Sequence, residues 1–170
     1  MERRVLKSLV FGTVIATFFI SFMVPLANAG VKSDTDYSEK NLSCLGSACA
    51  KAHLKAYVDA WESYPYMYFY KVYHKAEAWV TSTWWCTAYV TYIKGTYYHN
   101  GQPEDSEDAT SGGTPYLIVE ETYNNVQISG WVGTDAYATY HYVIWPGSHH
   151  DTSLETQYND CKVHPSGPPP

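Results

Sequence analysis

Six side chains, Trp79, Trp85, Tyr89, Trp131, His141 and Trp145, have the types and spacing in this 170-residue chain that point most directly to a ligand. Between Ala76 and Ile93 the sequence alternates with a period of two. Ala78, Val80, Trp84, Cys86, Ala88 and Val90 fall on one side of a strand, and Trp79, Thr81, Thr83, Trp85, Thr87 and Tyr89 on the other. Trp131 continues a Gln127, Ser129 face opposite Val126, Ile128 and Val132, and Tyr137, His141 and Trp145 share one side of a later strand. Flat rings offer an apolar platform to the C–H face of a pyranose, and hydroxyl and amide groups satisfy its OH groups. The competing reading is that both faces are buried, since Tyr and Trp are also good strand residues.

Other constellations are less specific. Glu104, Asp105, Glu107 and Asp108 crowd carboxylates as calcium requires, but without the alternating Asp/Asn pattern and central Gly of a calcium loop, so a solvated acidic loop is expected. His141, His149, His150 and Asp151, with His74 and His99 elsewhere, are suitable zinc or copper ligands. His149 and His150 are adjacent, however, and point opposite ways on a strand. Surface histidines are the expectation, with no metal and no cofactor. The sequence lacks Gly-x-Ser-x-Gly, His-Glu-x-x-His and a glycine-rich phosphate loop. A Cys86–His141 nucleophile pair needs a free thiol, and Glu120 and Glu121 must split between faces of a strand. No catalytic residue is assigned, although an acid–base pair drawn from Glu120, Glu121 and Asp135 would suit glycoside hydrolysis.

The elements that position these groups are mostly strands. Val31 to Asn41 is polar and is expected to be a loose leader. Ser47 caps a predicted helix over Ala48–Trp61, in which Leu54, Tyr57, Val58 and Trp61 recur at helical spacing. From Tyr66 onward Tyr, Trp, Thr and Val dominate. Asn100-Gly101 signals a turn, Gln102–Thr114 a loop, and Asn124-Asn125 a hairpin between Tyr116–Tyr123 and Val126–Val132. Further strands are expected over Asp135–Trp145 and Thr152–Tyr158, before a proline-rich tail over 161–170 with nothing to pack. The expected organisation is a signal over 1–29, a leader and helix over 30–63, and a β domain over 64–160. The fold class is all-β, a mostly antiparallel sandwich or barrel with one N-terminal helix in the mature chain.

The first residues address the protein. Arg3, Arg4 and Lys7 precede an uncharged apolar run from Leu9 to Val24, and Ala27-Asn28-Ala29 is a small-x-small site. This pattern predicts a cleavable secretory signal, an extracellular protein and no membrane span after cleavage. The run is shorter than the roughly 20 apolar residues of a spanning helix. Residues 1–29 hold three of the 11 basic and one of the 17 acidic residues, so 8 basic and 16 acidic residues remain and the net charge is −8. Such a surface repels phosphate backbones, which excludes nucleic acid as the expected partner. In an exported chain, Cys44, Cys49, Cys86 and Cys161 are expected to form two disulfides; sequence alone does not choose among the three connectivities, and the short loop Cys44–Cys49 with Cys86–Cys161 is the favoured one. The function these features predict is a secreted, non-catalytic binding module for a carbohydrate or cell-surface ligand. A structural, antimicrobial or toxin-like protein that self-associates is the alternative, and a small extracellular hydrolase the third.

Overall fold

The computed structural model describes residues 30–63 and 68–166, and the expected signal over 1–29 lies outside them. The described chain is all-β. Its strands are β1 (Val31–Leu45), β2 (Ala48–Ser63), β3 (Tyr68–Thr81), β4 (Cys86–His99), β5 (Gln102–Thr114), β6 (Tyr116–Ile128), β7 (Val132–Ile144), β8 (Ser148–Glu155) and β9 (Lys162–Val163). Every pairing is antiparallel. One sheet is four-stranded in the order β1-β2-β3-β6, and the other is five-stranded in the order β5-β4-β7-β8, with β9 on β7. The two sheets pack face to face as a sandwich.

Strict alternation builds the core. On β2, Ala50, Ala52, Leu54, Ala56, Val58 and Ala60 are buried; on β3, Phe69, Val72, His74, Ala76 and Ala78. Cys86, Ala88, Val90, Ile93 and Tyr97 of β4 and Val132, Ala136, Ala138 and Tyr140 of β7 face them. The many alanines of the first sheet leave room for large rings from the second. The Tyr140 hydroxyl crosses the interior and donates to the His53 carbonyl at 2.6 Å.

Several expectations are corrected by this arrangement. Ala48–Trp61 is not a helix but most of β2, because period-two burial satisfies its alanines against the opposite sheet. The polar leader is β1 and the acidic Gln102–Thr114 loop is β5. Both are edge strands, where charges, Pro103 and glycines discourage pairing with another chain. Asn124-Asn125 makes no hairpin. It sits inside β6, where Asn125 takes a φ of 57° and the register against β3 shifts. The Asn100-Gly101 turn does form, joining β4 to β5 with φ of 50° and 83°.

The long alternation over 76–93 is interrupted at Ser82–Trp85, where the chain crosses from one sheet to the other. Trp84, expected on the core face, is therefore 78% exposed. The tail also packs: Cys161 and Val163 are buried, and the Ser166 hydroxyl donates to Glu62 at 2.8 Å.

Cys44–Cys49 is a disulfide across the β1–β2 hairpin. Cys86 and Cys161 are free and buried, so the second expected bridge is absent. Cys86 pairs with Ile144 at one end of β7, whereas Lys162, next to Cys161, pairs with Gly133 at the other. At the rise of a strand, Gly133 to Ile144 spans about 36 Å. A disulfide tolerates a Cα separation of about 7 Å at most.

Candidate functional site

The antiparallel topology brings four connections to one end of the sandwich. They join β1 to β2, β3 to β4, β5 to β6 and β7 to β8. The segments that make them, Cys44–Cys49, Thr81–Ala88, Thr110–Leu117 and Ile144–Ser148, carry no Asp, Glu, Lys, Arg or His. In a chain this acidic, an uncharged end stands apart from the rest of the surface. Three of its apolar side chains project into solvent: Leu45 at 59%, Trp84 at 78% and Trp145 at 73% exposed. Ser82, Thr87 and Ser148 add exposed hydroxyl groups beside them.

Trp85 supports this end from beneath. It is half-buried and packs on the core, and its ring meets that of Trp84 edge-on at 5.4 Å. Its carbonyl accepts the Trp145 backbone N–H at 2.7 Å, which links the β3–β4 and β7–β8 connections. One tryptophan thus holds the stems of two exposed ones. Large aromatics are seldom exposed together on a monomer surface without a partner to cover them.

The six sequence-predicted residues do not converge on one face. Trp79 lies on the outer surface of the first sheet, with ring centroids 5.1 Å from His53 and 5.9 Å from Tyr37. Tyr89 and His141 are register partners on the outer surface of the second sheet. Trp131 is at the opposite end, stacked on Tyr158 at 5.8 Å, with Lys162 over its ring at 5.3 Å. Only Trp85 and Trp145 of the six belong to the uncharged end. Trp84 and Leu45 were missed there, because period two assigns Trp84 to the core and nothing in the sequence announces a sheet crossing at Ser82–Trp85.

The histidine group is partly assembled on β7 and β8. His141 Nδ1 lies 2.8 Å from Asp151 Oδ1, and His141 Nε2 lies 3.2 Å from His149 Nδ1. His150 turns away and stacks on Tyr142 at 5.1 Å, as adjacent strand residues must. Among the described residues, no three His, Cys, Asp or Glu side chains are grouped to hold a metal ion. Among them, too, no helix is long and apolar enough to cross a membrane.

Fold and site together define a two-sheet antiparallel β-sandwich, closed by a disulfide-bonded hairpin and tipped at one end with exposed tryptophans. The chain matches no protein-family model, no curated protein and no solved structure.

Proposed function

We propose that this protein is a secreted, non-catalytic binding module that engages carbohydrate at cell or matrix surfaces through its uncharged end. The observation that carries the reading is the joint exposure of Trp84 and Trp145 on connections tied together through Trp85. Indole rings can stack on the C–H faces of sugars, while neighbouring Ser and Thr hydroxyls exchange hydrogen bonds with sugar OH groups. The lack of charge suits a neutral polysaccharide, since no ionic group has to be desolvated on docking. Rigid strands behind each connection limit the ordering cost of binding. The expected signal and the Cys44–Cys49 disulfide both support export.

Retention on insoluble neutral polysaccharides tests the proposal. Wild type is expected to be retained, and Trp84→Ala combined with Trp145→Ala to lose about thirtyfold in affinity, at an unchanged melting temperature. Retention that survives the double substitution overturns the reading. So does partitioning onto neutral phosphatidylcholine vesicles in preference to every glycan, because interfacial tryptophans also suit a lipid headgroup layer.

A further inference from the structure

At the end away from the exposed tryptophans, the sandwich opens between its edge strands β5 and β6. A cavity of about 310 Å³ lies there, lined by Tyr97, Tyr123, His99, Glu104, Asp105, Val126 and Ile128. We propose that this cleft binds an aliphatic ammonium group, with its carboxylates balancing the charge and its tyrosine rings and apolar side chains taking the alkyl stem.

Two independent observations carry the proposal. The first is an excess of carboxylate. Glu107 on β5 and Glu121 on β6 are half-buried, and Asp105, exposed, lies two residues before Glu107 on the same strand. The Tyr123 hydroxyl donates to Glu121 at 2.8 Å. Glu121 in turn pushes the Glu107 carboxyl above its ordinary value, by hydrogen bonding and by like charge. Among the described residues, no lysine forms an ion pair with Glu104, Asp105, Glu107 or Glu121. His99 lies 3.8 Å from Glu104, and the uncharged His74 is the register partner of Glu121.

The second observation is a set of buried polar atoms with nothing to bond. Tyr97 lines the cavity and is 4% exposed, and its hydroxyl has no hydrogen-bond partner. His74 is completely buried behind it, stacked on Tyr123 and tilted against Tyr97, both with centroids 5.8 Å away, and neither ring nitrogen is bonded. Burial holds this imidazole neutral, so it has a free acceptor nitrogen as well as a donor. Each orphaned group costs stability, and the Tyr97 hydroxyl, whose residue lines the cavity, is the one that a bound partner would satisfy.

Cation and orphan acceptors together select the ligand class. An ammonium N–H can donate to a carboxylate and to the Tyr97 oxygen, and its charge is attracted to the tyrosine faces. A quaternary ammonium has no N–H and leaves Tyr97 unsatisfied. A metal ion is disfavoured because no three ligating side chains are grouped among the described residues. Val126 and Ile128 suit an alkyl stem. The cavity size is at the small end of ligand sites, which fits a short amine or one lysyl side chain.

Calorimetric titration and tyrosine fluorescence with n-butylamine, tetramethylammonium, n-butanol and calcium test the cleft. Butylamine is expected to bind, with the other three at least about tenfold weaker. Nα-acetyl-lysine methylamide in a parallel arm tells a free amine from a lysyl side chain by which binds more tightly, and either ranking supports the class. Tyr97→Phe should weaken butylamine about tenfold while leaving the fold intact, because the hydroxyl it removes is unbonded. Asp105→Asn, on the exposed edge strand, should weaken it as well. Absence of butylamine binding, equal binding of butanol or tetramethylammonium, preference for calcium, or indifference to both substitutions overturns the proposal. Glycan retention at the other end is a separate readout.

Discussion

Tyr140 on β7 donates its buried hydroxyl to the backbone carbonyl of His53 on β2, so a single side chain joins the two sheets across the core. The contact depends on the alanines of β2, which let a large ring enter between the layers. Tyr140→Phe keeps the ring and removes the bond. The expected loss is about 1–2 kcal/mol in urea unfolding, with native circular dichroism retained. No change in stability would mean that the carbonyl finds another donor.

Cys86 and Cys161 offer a chemical measure of the same core. Burial pushes both thiols up, Cys161 to about 12, so neither supplies thiolate at neutral pH. A thiol reagent added to native, unreduced protein is expected to label neither residue. In denaturant without reductant it should label both, because Cys44 and Cys49 are already bonded. Mass spectrometry that finds a Cys86–Cys161 bridge would contradict the register of β7.

Adjacent tryptophans should behave oppositely. Trp85 packs on the core and holds the Trp145 connection, whereas Trp84 points to solvent. Trp85→Ala is expected to cost about 3 kcal/mol of folding stability. Trp84→Ala should stay within about 0.5 kcal/mol of wild type. Thermal melts of the two variants, read side by side, check the sheet crossing at Ser82–Trp85.

His74 predicts how stability responds to acid. Burial lowers its proton affinity in the folded protein, against the opposing pull of Glu121 and Asp105, and burial lowers that of His53 likewise. Unfolded histidine takes its proton near pH 6.5. The unfolded chain therefore binds more protons once the pH drops below that value. Stability should be complete above about pH 6.5 and decline below it, by about 1.4 kcal/mol per pH unit for each histidine, until the folded protein is protonated too. Closer to the carboxylate range the raised Glu107 and Asp135 carboxyls act in the other direction, while the lowered Glu39 and Glu77 add to the loss. His74→Phe should remove one histidine's share of the slope, as denaturant melts on either side of pH 6.5 would show.

The residues by themselves determined a great deal of this protein. Tyr, Thr, Val and Trp at period two specified strands from Tyr68 onward, and Asn100-Gly101 specified the β4–β5 turn, because only such residues accept both positive φ values readily. The short spacing of Cys44 and Cys49 anticipated their disulfide. Tertiary structure alone decided β2. Leu54, Tyr57, Val58 and Trp61 fit a helix as well as a strand, and alanine favours the helix when nothing packs against it. A facing sheet with large rings needs those alanines at every second position, and that demand overrode local preference. Two of the edge strands were hidden for the complementary reason: β1 and β5 are too polar to look like strands, yet an edge needs charge on it. Where the tryptophans ended up was likewise a matter of sheet crossings. Alternation shows which side chains share a face of one strand, but which sheet that strand joins depends on packing between residues far apart in the chain.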